Sequence, residues 1–238
     1  MAINVNKVYR TVLSILNKEQ RGYLTPDQFN RLARQAQLDL LEKSFYDYNR
    51  QLTKRNIQGV NSEYGDIADN IQEKIDVLSR DESITFTNGV YDITNLNSGN
   101  DTVFKIIQLT TANRTVNIES VKKSELTYLN ASILNAPSAD YPVYYFENNS
   151  IKVFPTTVAS GIIDYIKQPA DPIWNYTGGG NAAYTYTAVG SQDFELHPSE
   201  EPILIIKILA YAGVIIKDPL VVQAAQQQEA NSFNQENS

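Results

Sequence analysis

The spacing of apolar residues changes period twice along this chain, and that change constrains the fold more than any other feature. Val5, Val8, Tyr9, Val12, Ile15 and Leu16 recur at helical spacing, which predicts an amphipathic helix over residues 3–20. Thr25 as N-cap, Pro26 at the first helical position and Gln28 three residues after the cap then start a second helix, expected to reach Leu52. It carries two apolar stripes, Phe29, Ala33, Ala36 and Leu40, and Leu38, Leu41, Phe45, Tyr48 and Leu52. A helix with two stripes has neighbours on two sides. Residues 56–65 read as a loop, and Ile67, Ile71, Ile75 and Leu78 mark a third helix.

After Arg80 the period becomes two. Ile84 and Phe86 lead into an Asn88-Gly89 turn and Val90–Ile93, a predicted hairpin. Residues 103–109 and 116–121 read as strands, and 124–129 as a helical turn lying across the sheet. From Tyr141 to Pro169, Asn148-Asn149 separates two runs of β-branched and aromatic residues, a third run follows, and Pro142, Pro155 and Pro169 sit at run ends. The helical period returns at His197-Pro198-Ser199-Glu200-Glu201-Pro202 and continues to Lys217, with Ile203, Ile206 and Ala210 expected to share a core with Ile71 and Ile75. Asp218-Pro219 breaks that helix and caps another over residues 220–230. The fold class that follows is α+β: a helical bundle from residues 1–82 and 197–238, with an antiparallel β-subdomain inserted at 83–196.

Composition excludes several kinds of chemistry. The chain has no cysteine, so disulfides, thiolate metal sites and cysteine nucleophiles are ruled out. Twenty Lys and Arg against 27 Asp and Glu give a net charge of −7, the wrong balance for gripping phosphate. The apolar run from Ile203 to Ile216 is fourteen residues long and contains Lys207, too short to cross a bilayer, and residues near the N-terminus lack a secretory pattern. No membrane partner is expected. The five Asn-x-Ser/Thr triplets, beginning at Asn100, Asn113, Asn130, Asn148 and Asn175, follow from an Asn-rich composition.

No motif carries a mechanism. His197 lies two residues from Ser199 without a Gly-x-Ser-x-Gly elbow and reads as a helix-start residue. Gly178-Gly179-Gly180 lacks the Gly-Lys-Ser/Thr of a phosphate loop. Asp164, Asp171, Glu195 and Glu200 are the carboxylates that a glycan hydrolase would draw on, and solvated or interface roles are the simpler reading of each. The pairs Lys54-Arg55 and Lys122-Lys123 read as solvated. No catalytic, metal or cofactor-binding residue is assigned, and no cofactor is expected.

Two segments read as partner surfaces. Residues 175–191 combine the triple glycine with Tyr176, Tyr184 and Tyr186 in a chain of fifteen tyrosines, a flexible loop expected to order against another protein. Leu220 and Val221 begin an apolar segment that turns Gln/Asn-rich, expected to dock on an adjacent protein.

The strand–turn–strand–Pro–strand–Pro order of residues 141–169, together with residues 1–30 and 194–219, resembles the ring-forming head–tail connector and tail-ring proteins of crAss-like, short-tailed phages. The resemblance implies a structural virion protein, not an enzyme. It would be made in the host cytoplasm and built into the head–tail connector or tail. It also implies a homo-oligomeric ring, a dodecamer, that docks on the portal or on adjacent tail ring proteins. DNA would pass through the ring during ejection without specific binding. The competing classes are a small β-rich phage glycan hydrolase and a carbohydrate-binding module.

Overall fold

The computed structural model describes residues 2–18, 24–58, 65–178, 183–215 and 227. In chain order the helical first part comprises α1 (Val5–Lys18), α2 (Pro26–Gln58) and α3 (Gly65–Asp76). There follow β1 (Ser79–Thr85), β2 (Val90–Asp92), β3 (Val103–Thr111), β4 (Glu119–Ser120), α4 (Lys123–Ala131), β5 (Val143–Glu147), β6 (Ser150–Phe154) and β7 (Ser160–Lys167). The chain ends its described part with β8 (Tyr176–Thr177), β9 (Thr185–Tyr186) and α5 (Glu201–Ile215). The fold is α+β. Two units are distinguished: Met1–Val77 with Pro169–Ser238, and Leu78–Gln168.

In the helical unit, local chemistry starts each helix. The Asn4 side-chain oxygen accepts from Lys7 N–H at 3.0 Å, and Asp193 Oδ1 accepts from Val5 N–H at 2.8 Å, so two free donors at the head of α1 are satisfied. Thr25 and Gln28 cap α2 reciprocally: Thr25 Oγ1 accepts from Gln28 N–H at 3.3 Å and Gln28 Oε1 from Thr25 N–H at 3.0 Å. The helix passes the expected end at Leu52 and reaches Gln58, because no Gly or Pro interrupts the sequence before Gly59. Residues 59–64, including most of the expected loop, lie outside the described residues.

One core joins these helices. Val5, Val8, Tyr9, Val12 and Leu16 of α1 meet Phe29, Ala33, Ala36 and Leu40 of α2, and Leu204, Ile208, Leu209 and Ala212 of α5. Ile15, expected on the buried stripe, lies at its exposed edge. On α5 the buried face differs from the expected one: Ile203, Ile206 and Ala210 are only half-buried. The helix is apolar nearly all round, so periodicity could not say which stripe turns inward.

The β unit holds two sheets around a shared core of Ile84, Phe86, Leu96, Leu109, Ile118, Tyr144, Ile151, Val153, Ile163 and Tyr165. One sheet has the order β1-β7-β3 and the other β2-β6-β5-β4; all pairings are antiparallel except β4 with β5. Asn148 and Asn149 both adopt positive φ (49° and 57°), the two-residue hairpin turn expected between β5 and β6. Asn88-Gly89 forms the same kind of turn, with φ of 53° and 76°. The hairpin expected there closes through Thr87 and Val90 alone, since β1 pairs with β7 and β2 with β6. A turn signal fixes the reversal and says nothing of which neighbour each strand takes beyond it. Gly161 is required by packing: a Cβ there would come within 2.6 Å of Thr110 O on the paired strand. The expected helical turn at 124–129 is α4, whose Leu126 packs on Val143 and Tyr145; Glu125 reaches back to accept from Lys122 N–H at 3.0 Å.

The junction between the units differs from the expected one. Residues 169–196, assigned from sequence to the β-subdomain, belong with the helices. Trp174, Phe194 and Leu196 are buried in the helical core, which outweighs the β-like pattern of this stretch.

Candidate interaction surfaces

The segment 169–196 is held by two amide side chains a heptad apart on α2. Asn30 Oδ1 accepts from Trp174 N–H at 2.9 Å and its Nδ2 donates to Trp174 O at 3.4 Å. Gln37, buried, donates to Ala170 O at 2.8 Å and accepts from Glu195 N–H at 3.1 Å. Glu195 Oε2 in turn accepts from Ala170 N–H at 2.8 Å. A side-chain amide has one donor end and one acceptor end and so can pair a neighbouring backbone as another strand would.

Around Trp174 the aromatic rings converge. The indole lies 4.2 Å from Tyr9 between centroids, 5.9 Å from Tyr176 and 5.7 Å from Tyr186, and its N–H donates to Asn6 Oδ1 at 3.1 Å. Tyr184 meets Tyr176 edge-on at 4.9 Å, and Tyr176 O–H donates to Asp27 Oδ1 at 3.4 Å. Tyr176 and Tyr186 pair directly in the β8–β9 ladder. Asn175 ties the base of this hairpin by donating to Val189 O at 2.7 Å, while its own N–H donates to Ser191 Oγ at 3.0 Å. The three tyrosines expected to be displayed for a partner are thus half-buried against their own unit's core. Burial of ring area against an existing tryptophan orders them without help. Residues 179–182 lie outside the described residues. So do Leu220 and Val221, the other expected partner-binding positions, and the whole segment 216–226.

The β unit carries the exposed apolar surface. Between α4 and β5 the chain turns through Ile133 and Leu134, whose relative exposures are 99% and 95%, with Tyr128 before them and Tyr141 after also exposed. Phe104 and Ile107 on β3, the outermost strand of its sheet, are exposed as well. Patches of this kind mark contact sites more often than they occur idly. Sequence reasoning passed over Ile133-Leu134. The available signal was two adjacent large aliphatics set among Asn, Ser, Ala and Pro, in a stretch too irregular to bury them.

The candidate catalytic groups have structural duties. His197 Nδ1 lies 2.7 Å from Ser199 Oγ and accepts from Ser199 N–H at 3.3 Å, capping the 3₁₀ turn Pro198–Glu200 that leads into α5. Arg114 spans Asp81 (3.0 Å) and Asp164 (3.1 Å), which face each other across β1 and β7. Arg34 pairs with Asp171 at 3.0 Å, and Lys74 with the buried Glu200 at 2.6 Å. Beside that last pair Asp47 has one carboxylate oxygen, Oδ1, buried without a hydrogen-bond partner, and burial raises its pKa against the pull of Lys43, Arg50 and Lys74. On the β unit Glu147 accepts from both Lys123 and Lys152, and those two bonds pull its pKa down to about 2.

Among the described residues no helix is long and apolar enough to cross a membrane, and no cluster of three or more acidic or histidine side chains is placed to hold a metal ion. No family model and no curated protein matches the chain.

Proposed function

We propose that this chain is a structural virion protein, a subunit that assembles into a ring in the head–tail connector or tail of a phage. The ring docks on the portal or on a neighbouring tail ring and leaves an axial passage for DNA. The observation that carries the reading is the exposed apolar set of the β unit, Tyr128, Ile133, Leu134, Tyr141, Phe104 and Ile107. A protein that works as a monomer has no use for two fully exposed adjacent aliphatics, whereas a subunit of a closed assembly buries them.

Two further features support it. The residues that a hydrolase would draw on, His197, Asp164, Asp171, Glu195 and Glu200, are engaged in caps, ion pairs and backbone bonds, which lends the glycan-hydrolase reading no support. A net charge of −7 per subunit, repeated around a ring, favours passage of a duplex over its retention.

The test is mass. Purified alone, or mixed with a portal, the chain of 26.7 kDa should appear as a cyclic species near about 320 kDa if twelve subunits close the ring. Class averages of the particles should show an axial opening. A species that stays at monomer mass alone and with every ring of the tail would overturn the reading.

A further inference from the structure

We propose that the projecting Ile133–Leu134 turn of one copy of this chain seats against the β3 face of a second copy, at Phe104 and Ile107. This rests on the ring reading and names the contact that would build the ring. The occupant is a second copy because one β unit carries both halves of the contact. One half protrudes from the connection between α4 and β5. The other lies on the outermost strand of the β1-β7-β3 sheet.

The two halves match in size and charge. Tyr128, Ile133, Leu134 and Tyr141 together expose on the order of 600 Å², close to the roughly 800 Å² that each partner contributes to a standard interface. Residues 126–141 contain a single charge, Asp140, and residues 103–108 contain a single charge of the opposite sign, Lys105. Like surfaces meeting tip to tip would bring Asp140 against Asp140, so the sign of the charges favours the unlike pairing. A contact between two different surfaces of identical subunits is heterologous, the type that propagates around a ring.

The absence of cysteine makes the test clean. Full-length Leu134→Cys and Ile107→Cys variants are oxidised separately and as a mixture, with Thr157→Cys, on an exposed loop of the same unit, as the control partner. The mixture of the first two should give at least about tenfold more covalent dimer than Leu134→Cys with the control, a ratio typical of a specific contact over random collision. The double variant should give a ladder of multimers. Efficient dimerisation of Leu134→Cys with itself would overturn the proposal in favour of a two-fold contact. No excess over the control would also overturn it. If the wild-type chain still formed rings in that case, the ring reading would stand on other surfaces. As a second readout, Leu134→Asp should abolish the oligomer while leaving the melting temperature unchanged, since the side chain has no contacts to lose. Retention of the full assembly mass by that variant would sink the proposal.

Discussion

Asn30 grips Trp174 by both ends of its backbone, accepting from its N–H at 2.9 Å and donating to its carbonyl at 3.4 Å. Replacing Asn30 by Leu keeps the volume and strands both backbone groups beside the helical core. The expected loss is about 1–3 kcal/mol, the cost of leaving buried polar groups unpaired. Trp174 is the only tryptophan in the chain, so its fluorescence reports the change directly: the emission of Asn30→Leu should shift to the red, and its urea midpoint should fall. Unchanged emission and midpoint would mean that the amide clamp contributes nothing.

The tyrosines of the β8–β9 hairpin should behave as core residues. Tyr186→Ala removes a ring that packs on Trp174 and is expected to cost roughly 1–3 kcal/mol in the isolated protein, without any partner present. Denaturation of the free chain measures it. A variant as stable as wild type but defective only in assembly would restore the view of this hairpin as a partner-ordered loop.

On α5, Ile208 faces the core and Ile206 is half-buried. Ile208→Asp places an unpaired carboxylate among Val, Leu and Phe side chains, at a cost of several kcal/mol. It should unfold the helical unit, whereas Ile206→Asp should melt cooperatively at a modestly lower temperature. Thermal scans followed by circular dichroism distinguish the two, and the reverse order would show the helix turned the other way.

Asp47 is expected to weaken the fold when ionised. Its folded pKa lies above the usual 3.8, so the native state holds the proton more tightly than the unfolded chain does. The penalty is absent below pH 3.8, grows as pH rises through the raised value, and is complete at neutral pH. Asp47→Asn should therefore raise the melting temperature at neutral pH and have little effect in acid. Equal effects of the substitution at both pH extremes would argue against burial as the cause.

Glu147 has the opposite sign. Its folded pKa is drawn from 4.5 down to about 2 by Lys123 and Lys152, so the bond network stabilises the β unit above pH 4.5 and fades as pH falls toward 2. Glu147→Gln should lower the melting temperature at neutral pH, with the difference from wild type closing as the solution approaches pH 2. A gap that stayed constant with pH would assign the effect to packing rather than charge.

Local signals in the sequence carried far. The Thr25–Gln28 cap, the Asn148-Asn149 turn, the stripe Phe29, Ala33, Ala36 and Leu40, and the α+β class all depend on residues within a few positions of one another. Short-range sterics and hydrogen bonding decide such features before the chain folds. Features that depend on distant partners were not legible. The side of α5 that turns inward was set by the shape of the α1–α2 groove, because that helix is apolar on nearly every face. The membership of residues 169–196 was set by Trp174, Asn30 and Gln37, where a buried indole and two correctly directed amides outweigh a strand-like pattern. The tyrosines beside the triple glycine were drawn inward for the same reason, while Ile133 and Leu134 were left outside because their turn projects from the sheet with nothing of its own unit to cover it. Periodicity states that a residue wants burial; only the tertiary structure decides whether its own chain supplies the place.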